Sequence, residues 1–338
     1  MTDLSWVTGV AALALGLDAR DCARLHGGRN NQTYRVELAD GRRVVLKRYA
    51  PIDDLGRDRR ATEYGALTFL ADRGVTAVPA PLGTDAALNV AAYSYVDGAV
   101  PGRGDVNHCM IDAAVEFFAT LSGLREDPAA AAIAPASEAC FDSRGLAANV
   151  LGRIRRLEPA VAAAQAGSPL RRFFESELEP AARAAAAQLA AAGDDRALPR
   201  AHQTLSPSDV GFHNMLCREG APPVFVDFEY FGWDDPAKLI SDFLTQHDFE
   251  LSPAHAGRFV TGMLTLFGAD AGLISRMVAY FPLFRAKKAA IALNEFTVAD
   301  AGRRRFAAAA PFDEDAAARQ LATARNVLSR PLPGEWRG

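Results

Sequence analysis

Cysteine is scarce and scattered in this sequence: four residues, Cys22, Cys109, Cys140 and Cys217, stand in a chain of 338 with no CxxC pair. Neither a disulfide framework nor a zinc site is indicated, and a reducing compartment, the cytoplasm, is expected. An excess of one charge is missing too. The 37 basic residues are balanced by 41 acidic ones, a net −4, which gives no reason to expect nucleic acid or an anionic membrane as partner. The apolar stretch at residues 7–17 falls short of the roughly 20 residues that cross a bilayer, and no basic leader precedes it. No repeat period is visible, and no G-x-S-x-G elbow presents a serine, so a hydrolase of that kind is excluded. What is present is an ordinary globular composition, 49% hydrophobic and 23% charged, enough for about two domains of about 150 residues. A small molecule or another protein is the expected partner.

The texture changes along the chain. Residues 33–39 and 42–49 are rich in β-branched and aromatic side chains and flank Asp40-Gly41, a favoured two-residue turn, so a β-hairpin is predicted there. Asp58 to Arg73 carries apolar residues at helical spacing and stops at Gly74, predicting a helix. Extended segments are predicted around 75–82 and 88–96, so the front reads β-β-α-β-β. From about residue 107 the pattern is mainly helical, with one strand-turn-strand between 213 and 228. Alanine-rich runs at 128–135, 159–166 and 181–192 read as further helices. Two unequal lobes, 1–98 and 99–338, follow.

Counting outward from a two-residue turn sets Val36 opposite Val45 and Tyr34 opposite Lys47, so that Val36, Val45 and Lys47 share one sheet face. Two valines over a purine with an ammonium reaching its phosphates would suit a nucleotide. Upstream, Gly27 and Gly28 in HGGRNNQTY lack Cβ atoms and let the backbone approach phosphates, although such a pair also fits a plain β-turn. Glu63, on the predicted helix, is a candidate counter-charge for Lys47. A second constellation is LSPSDVGFHNML followed by VFVDFEYFGWDDP. Folding MLC back on VFVD sets Asn214 opposite Asp227, with Cβ atoms about 5 Å apart. An amide oxygen and a carboxylate so placed suit one Mg²⁺, completed by phosphate oxygens and water. Asp209, in a loop opened by Ser206-Pro207-Ser208, is placed to orient a hydroxyl and accept its proton.

The ordered set HGGRNNQTYRV, VVLKRY, Glu63, YSYVDG, SDVGFHN and VDFEY resembles the aminoglycoside phosphotransferase and choline kinase-like family of small-molecule kinases, over about residues 20–245. The resemblance implies an α+β, bilobal protein kinase-like fold, with a small β-rich N-lobe and a larger, mainly helical C-lobe. It implies ATP or GTP and Mg²⁺ as cofactors, with Gly27 to Asn31 (Gly27, Gly28 and Asn31) as nucleotide loop and Lys47 on the α- and β-phosphates, paired with Glu63. Tyr93, Tyr95 and Val96 fall in a segment resembling the linker whose backbone meets adenine. Asp209 matches the catalytic aspartate, Asn214 and Asp227 the metal ligands, and Asp242 the later aspartate that buttresses the catalytic loop. The chain departs from the pattern where a histidine usually precedes the catalytic aspartate by two residues. Pro207 stands there, so the loop's support must differ. Glu229 replaces the glycine that lets protein kinases flip this segment, which argues against regulation by such a flip.

For the acceptor, Glu229, Asp234, Asp235, Asn294 and Glu295 are acidic or polar candidates that favour a sugar, amino sugar, aminoglycoside or amino alcohol; Asp234-Asp235 before Pro236 fits a helix start equally well. Tyr230, Phe231 and Trp233 fit either a stacking platform or core. The expectation is therefore a kinase acting on a small-molecule hydroxyl. The alternative is a non-catalytic, nucleotide-binding pseudokinase-like regulator, whose one foothold is Pro207.

Overall fold

The computed structural model describes residues 7, 10, 16, 18–25, 31–51, 56–193, 195–247, 249–298, 301, 302, 306, 312–332 and 334. Gly27 and Gly28 lie outside them. The chain forms two compact units: 1–100 with 214–231 and 299–311, and 101–213 with 232–298 and 312–338. The expected division at residue 98 into two continuous pieces is thereby modified, because 214–231 returns to the first unit. Backbone pairing explains the return: Ala99 and Cys217 exchange both N–H···O bonds, at 3.0 and 2.8 Å, and Phe225 N donates to Ala77 O at 2.8 Å.

The first unit holds β1 (Ala19–Leu25), β2 (Gln32–Leu38), β3 (Arg43–Arg48), α1 (Arg59–Ala71), β4 (Pro81–Asp85) and β5 (Val90–Ser94). Its strands make one antiparallel sheet in the order β1-β2-β3-β5-β4. The front is thus β-β-β-α-β-β; β1 is additional to the expected pattern, and β4 starts only at residue 81. The β2–β3 hairpin is one residue out from the expected register, pairing Val36 with Val44 and Thr33 with Lys47. Its loop has three residues, Ala39, Asp40 and Gly41. Leu38 N donates to Arg42 O at 2.8 Å, and Gly41 takes φ +84°, the left-handed residue that three-residue hairpin loops require. A one-residue slip moves every side chain to the other face. Val36 therefore packs with Tyr34, Leu38, Val44, Leu46, Val90, Ala92, Val7 and Val10 in the core, while Val45 and Lys47 lie on the opposite face.

The returning hairpin comprises β7 (Met215–Arg218) and β8 (Ala221–Phe225). It slips as well: Met215 pairs with Phe225, and Asn214 O accepts from Val226 N at 2.9 Å, so Asn214 lies opposite Val226 rather than Asp227. The turn is Glu219-Gly220, with Gly220 at φ +68°, and an irregularity between Leu216 and Arg218 absorbs one residue.

The second unit is mainly helical: α2 (His108–Gly123), α3 (Ser143–Ala163), α4 (Pro169–Phe173), α5 (Glu179–Ala192), α6 (Pro236–Leu244), α7 (Pro253–Leu266), α8 (Leu273–Ala292) and α9 (Glu314–Ser329). Only 181–192 of the alanine-rich runs lies wholly within an α-helix; 128–132 makes a 3₁₀ turn opened by Pro128, and α3 stops at Ala163. A short ribbon, β6 (Thr204–Ser206) with β9 (Gly232–Asp234), brackets the loop that carries Asp209. Phe212 anchors that loop. Its ring packs 5.3 Å from Phe243 and from Phe249, and Phe243 stacks at 4.1 Å on Phe259.

Candidate active site

The first unit gathers four charged groups. Lys47 Nζ, on β3, donates to Glu63 Oε2 of α1 and to Asp227 Oδ1, each at 2.7 Å, and lies 3.9 Å from Glu229 Oε2. The lysine is only 8% exposed. Burial by itself would discharge it, but Asp227, Glu63 and Glu229 outweigh that and hold its pKa well above the ordinary value. Glu63 is pushed up to about 7, first by burial and then by Asp227 and Glu229, against the pull of Lys47. Two tyrosines brace it. Tyr49 OH donates to Glu63 Oε2 at 2.8 Å and meets Tyr93 OH at 2.7 Å. Tyr93 pairs with Val45 across β3 and β5, which puts its buried side chain on the lysine face.

Asp227 ends the returning hairpin in the left-handed conformation, φ +68°, which is uncommon for a residue with a Cβ and is concentrated at functional sites. Its side chain keeps 35% exposure, whereas Glu229, two residues on, is 2% exposed. Asn31 Nδ2 donates to Glu229 Oε2 at 2.5 Å while Asn31 Oδ1 accepts from Ala50 N at 3.3 Å. Glu229 is thus committed to the lysine cluster, which corrects its placement among acceptor-facing residues. Burial, then Asp227, push its carboxyl up.

Carboxylate oxygens of Glu63, Asp227 and Glu229 lie within 4.8 Å of one another. This all-oxygen, strongly anionic set fits a hard divalent cation such as Mg²⁺ or Ca²⁺, and its crowding around one ammonium leaves negative charge for such an ion to balance. The half-buried Asn214 is tied by its backbone carbonyl to Val226, the residue before Asp227.

Tyr95 and Val96 continue from β5 and are half-buried. The Arg43 guanidinium lies 4.7 Å from the Tyr95 ring and pairs with Asp97 at 2.9 Å, while Val96 O accepts from Gly98 N at 3.1 Å. This fixes the course of the segment that resembles an adenine linker.

In the second unit, Asp209 follows Ser208, whose φ is +66°. His213 Nε2 lies 3.3 Å from Asp209 Oδ1. Burial would raise the Asp209 carboxyl, but His213, with Lys288 and His247 farther off, holds it well below the usual carboxylate range. It is an anion across the physiological pH range. Asp234 is fully buried, its Oδ2 accepting from Lys238 Nζ at 2.7 Å. Burial pushes its carboxyl up to about 6. The placement of Asp234 against an acceptor is corrected: the side chain serves the interior. Asp235 caps α6, accepting from Ala237 N at 2.8 Å, and is clamped by Arg276. Trp233 is buried beneath Arg200 and is core. Glu295 accepts from Gln320 Nε2 at 2.9 Å. Asp242 is buried, with Lys238 at 2.9 Å and Lys288 at 3.3 Å.

Sequence reasoning missed the Tyr49–Tyr93 brace, the membership of Glu229 in the lysine cluster, and Lys238. The one available signal for Glu229 was its place two residues after Asp227 in an otherwise apolar run, where a carboxylate needs partners.

Residues 21–271 match the APH phosphotransferase enzyme family, and the chain belongs to it. It is a phosphotransferase. Among solved structures, a spectinomycin phosphotransferase in complex with ADP and spectinomycin superposes with a TM-score of 0.64 at 10% identity, covering 96% of this chain and 98% of its own. A choline kinase from Cryptosporidium parvum gives 0.63 at 10% identity, with 96% and 94% covered. An amicoumacin kinase in complex with AMP-PNP and Ca²⁺ gives 0.61 at 13%, with 96% and 93% covered. At these identities the likeness establishes the fold: α+β and protein kinase-like, with one β-rich and one mainly helical unit. A search of curated protein sequences returns no match. Among the described residues no helix is long and apolar enough to cross a membrane.

Proposed function

We propose that this phosphotransferase uses ATP and Mg²⁺ to move the γ-phosphate to a hydroxyl of a small molecule, of the sugar, amino sugar, aminoglycoside or amino alcohol class. The observation that carries the reading is the buried ammonium of Lys47 between Glu63 and Asp227, each at 2.7 Å. A buried charge held among several carboxylates is a candidate functional group, and this supports the reading of a nucleotide held by the ammonium and a cation together. Lys47 would take the α- and β-phosphates, with Glu63, braced by Tyr49, keeping the ammonium aimed. Val45 beside it, with the backbone of Tyr93 to Val96, would take the base. Asn31 ties the start of β2 to Glu229 and so keeps that strand end close to the cluster. Asp227 and Asn214 would hold Mg²⁺, which when bound neutralises charge on the phosphate oxygens. Asp209 would align the acceptor hydroxyl and take up its proton; charge neutralisation and positioning then supply most of the rate. GTP fits the same groups. The partner is a small hydroxyl compound, and the cytoplasm remains the expected compartment.

The presence of Lys47, Asp209, Asn214 and Asp227 together speaks against the pseudokinase reading. The test is Asp209→Ala. Phosphate transfer, followed with a panel of hydroxyl compounds, should fall by about 10²–10⁴, while nucleotide affinity by calorimetry stays within about twofold. Transfer unchanged in Asp209→Ala would defeat the assignment.

A further inference from the structure

The loop before Asp209 is held in an unusual way. Asp209 N donates to Pro207 O at 2.8 Å, an i to i+2 closure around Ser208, whose φ is +66°. A three-residue closure about a left-handed centre is the rare, strained form of γ-turn. Pro207 has no side-chain donor or acceptor with which to hold it. Ser208 does the holding: its N donates to Ser206 Oγ at 2.9 Å, its Oγ donates to Ser137 O at 2.9 Å, and the same Oγ accepts from Lys238 Nζ at 3.0 Å. Lys238 lies on α6, 30 residues away in sequence, and is 2% exposed. Its ammonium spends its remaining hydrogens on Asp234 at 2.7 Å and Asp242 at 2.9 Å. Both carboxylates belong to the same stretch of chain, one turn before and one turn after Lys238, and this fixes the ammonium from two sides. All three of its donors are therefore used, and one is used on the residue that sets the direction of Asp209.

A buried lysine is expensive, and apolar residues in place of the whole group of Lys238, Asp234 and Asp242 would fill the same space at less cost. Its retention needs a reason that packing does not provide. We propose that Lys238, fixed by Asp234 and Asp242, and Ser208 together position Asp209, giving this chain the loop support that Pro207 cannot. Lys238 and Ser208 are positioning residues: neither touches the reacting atoms. The inference rests on the reading of Asp209 as the base for the acceptor hydroxyl. Asp242, whose resemblance suggests a buttress of the same loop, reaches Ser208 through Lys238.

Ser208→Gly gives the discriminating test. Glycine is the residue that φ +66° favours, so the turn itself survives the change, and if the Ser208 hydroxyl serves only folding, the variant should lose some stability with the two hydrogen bonds and keep kcat unchanged. The positioning role predicts instead that kcat falls about tenfold to a hundredfold, the scale of a displacement of about 1 Å, with nucleotide KM within about twofold, a split that the lost stability of two missing hydrogen bonds would not produce by itself. Lys238→Met should lower kcat similarly, and the double variant should be no worse than the poorer single one, since the two act as a unit. Should Lys238→Met fail to fold, Ser208→Gly still decides.

A second readout does not depend on turnover. The Asp209 carboxyl, followed by ¹³C NMR in the full-length protein, should titrate well below the usual carboxylate range in the parent and move up towards it in Ser208→Gly, as the carboxylate drifts from His213. An unshifted titration together with unchanged kcat overturns the proposal. If the parent protein transfers phosphate to no acceptor, the reading of Asp209 as base fails, and the positional coupling is then decided by the titration alone.

Discussion

Replacing Lys47 by methionine should do more than weaken nucleotide binding. In the parent protein one ammonium, 2.7 Å from both Glu63 and Asp227 and 3.9 Å from Glu229, balances three carboxylates. The methionine fills the same volume without charge, leaving Glu63 and Glu229 buried with Asp227 beside them. Removing one partner of a buried pair costs about 3–5 kcal/mol, which for a unit of this size lowers the thermal midpoint by roughly 10 °C. The loss should be largest at pH 8 and smaller at pH 5, where carboxyls already pushed upward take up protons instead of repelling one another. A divalent cation should substitute for the missing ammonium. Without nucleotide, Mg²⁺ or Ca²⁺ should therefore stabilise Lys47→Met, by about 2.7 kcal/mol once the cation reaches a hundredfold its Kd, and raise its midpoint more than that of the parent. Differential scanning calorimetry at the two pH values, with and without cation, measures all of this. Equal midpoints for parent and variant at pH 8, or a variant indifferent to divalent cations, would refute the charge balance drawn for the cluster.

Other perturbations probe the same account. Glu63, raised from 4.5 to about 7, holds its proton longer in the folded than in the unfolded state, so stability must fall as pH rises through that window. Glu63→Gln should flatten the dependence of the midpoint on pH between about 4.5 and 7, and an unchanged slope would exclude Glu63 as its source. Phe212→Ala, which empties the anchor of the Asp209 loop between Phe243 and Phe249, should cost about 3–5 kcal/mol by denaturant titration; a cost under about 1 would mean the loop is held elsewhere. Asn31→Ala leaves the Glu229 carboxylate without its 2.5 Å donor. It should lower stability by about 1–3 kcal/mol and raise the nucleotide KM, and a KM unaltered in steady-state assays would detach Asn31 from the nucleotide loop.

Much of the arrangement is legible in the sequence, because the motif residues stand in an order few folds share. Lys47 meets Glu63, the counter-charge the sequence offers, while the contact of Lys47 with Asp227 is not legible there. The two register slips have a common cause. Asp40-Gly41 and the Arg218–Pro223 loop each admit several closures of different length, and the choice is made by which glycine goes left-handed, Gly41 or Gly220. Strand β1, ARDCARL, carries no β-branched residue and little apolar surface; it exists because its backbone completes the sheet beside β2. Lys238 was invisible for the opposite reason. On a helix a lysine reads as solvent-facing, and its burial depends on Asp234 and Asp242 one turn to either side and on Ser208, 30 residues away. Acidic residues likewise read as acceptor contacts until their partners are known: Asp234 turned out to belong to Lys238, and Glu229 to Asn31.

The central claim is that Asp227, held against Lys47, supports phosphate transfer from a nucleoside triphosphate to a small hydroxyl compound. The most direct measurement supplies γ-labelled ATP and Mg²⁺ with a panel of amino sugars, aminoglycosides, sugars and amino alcohols, and follows label in phosphomonoester products for the parent protein and for Asp227→Ala. The account predicts a labelled product with the parent and none above background with the variant. Equal labelling by Asp227→Ala would contradict it.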